Sequence, residues 1–491
     1  MKTSTLCIQS GPLSGLVGNC YWELLLNQDH SISESSFHST TQTPRTILID
    51  FASNLKNSIP SQHQNLNTNN VLSWNPDLIQ EYNYSNTSNP LYSTTQSKNS
   101  IQFHEKSLHP LCPGDVISGF ESYSQGVECF EKNSNAYGDE IMNSVRYFIE
   151  ACDNTIELLV LADAQNAFVG LTTKVLDTIC DEIGHLGMTC LSIAENESTA
   201  TAQNNSAALK SVNESWLCFG AYSSNAQLFP VAIPSREMYP KCIKNRSMYL
   251  NSNSESELIA SASVMATAIE GMTLPSRYTA PNSCPQPIFS FTQNSLRSMS
   301  DWFISSMSLT CPLSLSLQNG ITSSIFGFHA LQNTRVPCYN WNLSSRELRN
   351  MSRNANIISG NALVLRSRGK NSDFSEKLYE YAEKLYVNSQ MISVYECEKN
   401  LNVRKSNINI ELMNGSRDEM NLELIHDELD YLLHLYTDPN AAQKYVRKQM
   451  QSLKFESSRV DTIRDERIEP DTINEMYETL NTIADSYQSK T

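Results

Sequence analysis

The sequence lacks the patterns that identify most metal sites, disulfide frameworks and hydrolase sites. Its 13 cysteines are odd in number and scattered from Cys7 to Cys397, and no two of them form a C-x-x-C pair. Neither a G-x-S-x-G nor an H-E-x-x-H motif occurs. These absences argue against a zinc ribbon and against a disulfide-stapled domain. We therefore predict a protein of a reducing compartment that holds no metal and is not an enzyme.

Positive charge and long apolar runs are also scarce. There are 36 lysines and arginines against 52 aspartates and glutamates, a formal net charge of -16. Such a surface does not attract a phosphate backbone, which excludes nucleic acid as a predicted partner. The longest nearly apolar run, Ile156–Ala162, is far shorter than the roughly 20 residues that span a bilayer. With no apolar or Arg-rich amphipathic leader at the N-terminus, we predict no transmembrane segment and no import signal.

What is present is a β-strand and helix alternation in the first half of the chain. A short strand at Thr5–Ile8 precedes a glycine-containing turn and an apolar helix, and Thr46–Phe51 reads as a second strand. The run Ile156–Asp163 is almost continuously apolar, which is typical of a parallel strand covered on both faces. A helix with one apolar stripe and a strand at Met188–Ile193 follow, which completes a βαβ unit.

The second half mixes strands with helices. The capping pattern Ser254–Glu257 predicts a helix that ends at Gly271. Helices are also predicted from Asp373, over Leu422–Tyr436 and from Pro470 onward, because apolar residues recur there every three or four positions. Strands are predicted at residues 362–365, 391–395 and 407–410.

These elements predict an α/β protein with three parts. Residues 1–250 form a Rossmann-type parallel sheet domain, residues 251–415 a smaller intermediate α/β domain, and residues 416–491 a C-terminal helical segment. The stretch Ser53–Ser107 is rich in Ser, Asn, Thr and Gln and poor in apolar residues. We predict that it is a polar, disordered insertion in the first domain.

Several segments resemble the tubulin-like superfamily, and in particular its Misato branch. The turn Gly11–Gly18 and the following Trp22 and Glu23 resemble the first loop and helix of tubulin, G-Q-x-G-x-x-I-G. The segments that resemble the Misato family, in the same order along the chain, are Thr43–Asp50, Leu108–Pro110, Val145–Asp153, Ala262–Ile269 and Thr273–Tyr278. The chain is thus identified as a member of the Misato family, which implies a tubulin-like fold.

The loops that would hold a nucleotide depart from this family pattern. A phosphate-binding loop needs glycines so that backbone amides can approach the anion without a Cβ in the way. Where tubulin has G-G-G-T-G-S-G, this chain has Asn166–Thr172 with the single glycine Gly170, and Pro12 replaces the glutamine of the first loop. Gly11, Asp50 and Gly170 are the candidate residues of a vestigial nucleotide site, and we predict that neither GTP nor another cofactor is bound. For Asp50 the alternative is a solvated or capping acid at a strand end.

The resemblance implies a non-catalytic role in mitochondrion organisation, distribution and inheritance. It places the protein in the cytoplasm and, peripherally, on the outer mitochondrial surface. The implied partners are proteins: cytosolic chaperonin during folding, and mitochondrial surface or cytoskeletal proteins afterwards. The alternative is a divergent GTP-binding tubulin that forms a cytoskeletal polymer, which would require a working phosphate loop.

Overall fold

Six parallel strands form the sheet at the centre of the first domain. In a computed structural model of the chain, they lie in the order β3-β2-β1-β4-β5-β6. The strands are β1 (Thr3–Ser10), β2 (Thr46–Phe51), β3 (Leu108–Leu111), β4 (Thr155–Asp163), β5 (Gly187–Ala194) and β6 (Gln227–Ala232). The structure describes residues 3–28, 36–38, 41, 43–55, 101–111, 120–132, 136–152, 155–184, 186–195, 204–233, 243–245, 254–278, 288, 303–310, 338–340, 359–366, 392–397, 401–402, 410–414, 421–424, 428–429, 431–437, 439–458 and 470–488.

Helices cover both faces of this sheet. They are α1 (Pro12–Leu26), α2 (Ala52–Leu55), α3 (Tyr123–Lys132), α4 (Ala136–Glu150), α5 (Phe168–Ile183), α6 (Asn204–Ser223), α7 (Ser254–Arg277), α8 (Pro439–Ser458) and α9 (Pro470–Gln488). A short 3-10 turn, Glu105–Ser107, precedes β3.

Alternate residues of β4 belong to two separate apolar cores. Leu159 and Leu161 pack with α1 and α7 on one face, whereas Leu158 and Val160 pack with α4, α5 and α6 on the other. The prediction of a central strand covered on both faces is therefore confirmed. So are the α/β class, the βαβ unit of β4, α5 and β5, and the final helix that begins at Pro470.

A second sheet of five strands lies beyond α7. Its order is β11-β10-β16-β8-β9. The strands are β8 (Ser306–Thr310), β9 (Cys338–Asn340), β10 (Ser359–Arg366), β11 (Ile392–Cys397) and β16 (Tyr431–Thr437). A three-stranded sheet contains β7 (Ile243–Asn245), β13 (Ile410–Asn414) and β14 (Asn421–Leu424), with β13 in the middle. A separate two-stranded sheet pairs β12 (Leu401–Asn402) with β15 (Glu428–Leu429).

The helix predicted over Leu422–Tyr436 is wrong, because strands occupy its described residues. Tyr431, Leu433 and Leu435 are all fully buried and alternate along β16, which pairs with β10 and β8. The apolar run fits both the helical and the strand period, and its pairing partners lie far away in the sequence. The C-terminal segment is therefore not entirely helical, while the domain boundaries themselves stay predictions.

Two further boundaries differ from those expected. Helix α7 does not end at Gly271 but continues to Arg277. Gly271 serves packing and not helix termination, because a Cβ there would lie 2.9 Å from Cε2 of Tyr431 in the second sheet. The end of the predicted insertion is folded, because Phe103 and Ser107 are buried. Residues 56–100, the helix predicted from Asp373 and most of the strand at 407–410 lie outside the described residues.

A buried ionic network joins α7 to the second sheet. Glu270 of α7 is fully buried, and its Oε1 accepts hydrogen bonds from Arg277 Nη2 at 2.8 Å and from Arg366 Nη1 at 2.5 Å. The Tyr431 hydroxyl donates to Oε2 of the same carboxylate. Burial alone would raise the pKa of Glu270, but the charges of Arg366 and Arg277 outweigh it and lower that pKa. The carboxylate therefore stays ionised inside the core.

Candidate functional site

The strand order creates a crevice at the carboxyl ends of β1 and β4, which is where doubly wound parallel sheets bind ligands. Helix α1, which follows β1, packs on one face of the sheet, and α5, which follows β4, packs on the other face. Because β1 and β4 are neighbours, the chain diverges at their carboxyl ends, which is the topological switch point of a doubly wound sheet. The amino ends of α1 and α5 both point toward it, so their free amides could bind an anion.

A side chain of the protein already occupies the anion position at α1. Asp163, the last residue of β4, accepts a hydrogen bond from Ser14 N at 2.7 Å through Oδ1 and from Leu13 N at 3.1 Å through Oδ2. Asn166 Nδ2 also donates to Oδ2, at 3.1 Å. Burial raises the pKa of Asp163 to about 6, although the amides of Ser14 and Leu13 act in the opposite direction. The carboxylate thus takes the amides that an external phosphate would need.

Gly11 makes this close contact possible. Its φ is +106°, and a Cβ built on it would lie 2.4 Å from Cγ of Asp163. Any other residue would push the carboxylate away and would be strained at that φ. Gly11 N donates to the carbonyl oxygen of Ile49 at 2.9 Å, which fixes the turn to β2. The predicted candidate Gly11 therefore lies in the crevice, where it makes room for Asp163.

The start of α5 is also satisfied from within the chain. Asn166 Oδ1 accepts a hydrogen bond from Phe168 N at 3.1 Å, and Ala167 N donates to the carbonyl oxygen of Phe120 at 3.4 Å. The Phe168 ring packs edge-on against Phe51 and Phe120, with centroids 5.2 and 5.0 Å away. Phenyl rings therefore fill the space beside this helix end.

Asp50 stands at the end of β2, on the other side of the α1 amino end. Its Oδ1 accepts hydrogen bonds from Phe51 N at 2.7 Å and Asn54 Nδ2 at 3.0 Å. Burial raises the pKa of Asp50 to about 8, and the nearby Asp163 raises it further against these two bonds. These effects favour the neutral form of Asp50 more strongly than that of Asp163, whose pKa is raised less. This geometry favours the capping interpretation, since both bonds go to residues within four positions.

Asp50→Asn is expected to stabilise the protein increasingly as the pH rises from about 4 to 8. The folded wild type binds a proton in this range that the unfolded chain has released, so its stability falls with pH by about 1.4 kcal/mol per unit at most. Asparagine keeps the acceptor oxygen and does not titrate. Urea denaturation at pH 5 and pH 8 checks this, with the exposed Asp139→Asn as the control, which loses a charge in the first turn of α4 and should cost no more than about 1 kcal/mol at both pH values. An equal gain in the free energy of unfolding at pH 5 and pH 8 would contradict a raised pKa of Asp50.

Gly170 lies in the first turn of α5 and faces α3 instead of the crevice. A Cβ on Gly170 would lie 2.0 Å from the carbonyl oxygen of Tyr123, and one on Gly126 would lie 1.9 Å from that of Ala167. The two glycines let the backbones of α3 and α5 approach closely. Of the three candidates, the structure brings Gly11 and Asp50 to the α1 amino end and places Gly170 in this helix contact.

Sequence reasoning missed the role of Asp163. The sequence signal was present: an acid at the end of the most apolar strand, directly ahead of a loop that has lost its glycines. Among the described residues, no group of three or more His, Cys, Asp or Glu side chains is placed to hold a metal ion. No helix in the described part of the chain is long and apolar enough to cross a membrane.

Comparison with known proteins supports the tubulin-like character of this domain. A family model described as a tubulin domain matches residues 92–278, which include β3 to α7 and therefore Asp163 and Glu270. No curated protein matches the chain. The match and the six-stranded parallel sheet with flanking helices together show that the chain contains a tubulin-like domain, followed by C-terminal helices.

Proposed function

We propose that this tubulin-like chain is a non-catalytic binding protein that needs no nucleotide and takes part in mitochondrion organisation, distribution and inheritance. The absence of a nucleotide requirement is supported by one observation: the Asp163 carboxylate accepts hydrogen bonds from the amides of Leu13 and Ser14. A guanine nucleotide seated at these amides would have to displace that carboxylate. It would also bring its own phosphate charge next to a buried carboxylate, which costs several kcal/mol unless the pair is compensated.

The second helix end supports the same conclusion. In the crevice, α5 starts with Phe168, whose amide is bonded to Asn166 and whose ring packs on two other phenyl rings. An ordinary phosphate loop presents several free amides and no bulky side chains at this point. Both helix ends are thus closed by groups of the chain itself.

The mitochondrial part rests on the resemblance to the Misato family. It is carried by Val145–Asp153, whose residues up to Glu150 lie in α4, and by Ala262–Ile269 and Thr273–Tyr278, whose residues up to Arg277 lie in α7. We infer a cytoplasmic protein that is also found peripherally on the outer mitochondrial surface. Its proposed partners are mitochondrial surface or cytoskeletal proteins, with cytosolic chaperonin as a folding partner, since sheets with many non-local contacts fold slowly.

GTP with magnesium is expected to leave the melting temperature unchanged. A ligand that binds the folded state at 100 times its Kd stabilises it by about 2.7 kcal/mol, and no such gain is expected here. Differential scanning fluorimetry with millimolar GTP, GDP and ATP checks this, with tubulin as the positive control. A reproducible rise with guanine nucleotides alone would favour the competing proposal, a divergent GTP-binding tubulin that forms a cytoskeletal polymer.

Depletion in cells tests the mitochondrial role separately. We expect mitochondria to become unevenly distributed while the microtubule array keeps its normal form, with both imaged in the same cells. Re-expression of the wild-type chain should restore the distribution. Loss of microtubules before any change in mitochondria would contradict the proposal and support the polymer.

A further inference from the structure

Two histidines and a tyrosine form a stack of rings at the β2–β3 side of the first domain. The His104 ring lies 5.1 Å from Tyr147 of α4 at an interplanar angle of 25°, and the His38 ring lies 6.0 Å from Tyr147 at 4°. The two imidazoles are 6.2 Å apart. This histidine stack, His38, His104 and Tyr147, joins three pieces of chain that are distant in sequence: the stretch before β2, the segment Ile101–Ser107 and α4.

Each imidazole acts as a hydrogen-bond acceptor in the stack. Nδ1 of His104 accepts from Lys106 N at 3.2 Å and so caps the 3-10 turn Glu105–Ser107. Nδ1 of His38 accepts from Thr41 N at 3.4 Å. A protonated imidazole has no lone pair to accept with, so each ring makes its backbone bond only when neutral. On the other side of the His104 ring, Nε2 lies 3.2 Å from the Tyr147 hydroxyl.

The charges that face the stack disfavour a further positive charge. Lys106 lies over the Tyr147 ring at 4.1 Å, and Arg45 faces His38. Burial, then Arg45 and His104, lower the pKa of His38. Burial also lowers the pKa of His104, with Glu105 acting against it and Lys106 with it. Because the neutral rings are favoured only while the stack is formed, proton uptake favours its opening as the pH falls below about 6.5.

The stack holds a segment with buried side chains in place. Phe103 is 3 % exposed and packs in the α1 core, and Ser107 is fully buried. The His104 ring also packs edge-on against Phe148, which is fully buried, at 6.0 Å. Release of Ile101–Ser107 would therefore expose apolar surface on both the segment and α4.

We propose that the histidine stack is a proton-operated clasp, which keeps Ile101–Ser107 on α4 at neutral pH and releases it in mildly acidic solution. Local opening starts at one edge of the six-stranded sheet, because the segment leads directly into the edge strand β3 and its 3-10 turn contacts β2. The clasp is independent of whether a nucleotide is bound.

Hydrogen exchange of the full-length protein between pH 7.5 and pH 5.0 tests the clasp. After correction for the intrinsic exchange rate, the protection of amides in Ile101–Ser107 is expected to fall as the pH drops below about 6.5, by at most about tenfold per pH unit for each linked proton. Amides of α5 serve as the internal reference and should keep their protection. Constant protection of the segment, or a parallel loss in α5, would refute the clasp.

The double variant His38→Asn/His104→Asn separates proton uptake by these two histidines from other effects of acid on the protein. Asparagine supplies a side-chain oxygen that accepts a backbone hydrogen bond and does not titrate. Its segment should exchange at a pH-independent corrected rate. If the variant loses protection with falling pH as the wild type does, the histidines are not responsible and the proposal fails. If the variant does not fold, the wild-type titration still tests the clasp, because constant protection of Ile101–Ser107 would refute it.

Discussion

Glu270→Ala is expected to lower the free energy of unfolding by about 3–5 kcal/mol, the cost of removing one partner of a buried ion pair. The variant leaves the guanidinium groups of Arg277 and Arg366 in the core without the carboxylate to which both donate. It also removes the acceptor of the Tyr431 hydroxyl. Because these groups come from α7, β10 and β16, the contact between α7 and the second sheet should loosen. Urea denaturation followed by tryptophan fluorescence measures the loss.

Glu182→Ala is the matched control for this prediction. Glu182 forms an ion pair with Arg146, but both side chains are more than a third exposed. Exposed pairs contribute only about 0–1 kcal/mol, so the control should remain close to the wild type. Similar losses for the two variants would mean that the Glu270 network contributes no more than a surface pair.

Gly170→Ala is expected to destabilise the protein by about 2–3 kcal/mol through overpacking. The added methyl group would lie 2.0 Å from the carbonyl oxygen of Tyr123 and 2.7 Å from Val127 N. Both are backbone atoms, so α3 must move away from α5 as a whole. Thermal or urea denaturation checks the size of the effect. If Gly170 served only a vestigial nucleotide site, the same change would raise stability through helix propensity.

Gly15→Ala in α1 provides the control. Its added methyl group would lie 3.4 Å from Oδ2 of Asp50, an ordinary contact with the end of a side chain. Alanine exceeds glycine in helix propensity by about 1 kcal/mol, so this variant should be unchanged or more stable. If Gly170→Ala lowers the free energy of unfolding and Gly15→Ala raises it, Gly170 is required because α3 and α5 approach closely there, and not because of its helical conformation.

The sequence predicts four of the six strands of the first sheet because their signals are local, and it misses β3 and β6. The apolar run of β4 and the one-sided stripe of α5 each appear within a dozen residues. The resemblance to tubulin added the order of the elements. In the same way, the apolar positions after Pro470 predicted α9 correctly.

Contacts between distant residues explain what the sequence could not predict. Asp163 bonds to amides some 150 positions earlier, and Glu270 bonds to Arg366 across 96 positions. In the Leu422–Tyr436 stretch, local spacing favoured a helix, yet pairing with β10 and β8 made Tyr431–Thr437 a strand. Tertiary pairing overrides local periodicity in such short apolar runs.

The carboxylate of Asp163 is covalently part of the strand that positions it. An anion of this kind is not cleaved as a triphosphate is, and it holds the turn after β1 through the amides of Leu13 and Ser14 without a ligand. Its occupancy also does not depend on how much nucleotide the cell supplies. On the proposal that no nucleotide binds, this chain has no state that depends on nucleotide hydrolysis, and any change in its interactions has to come from its partners.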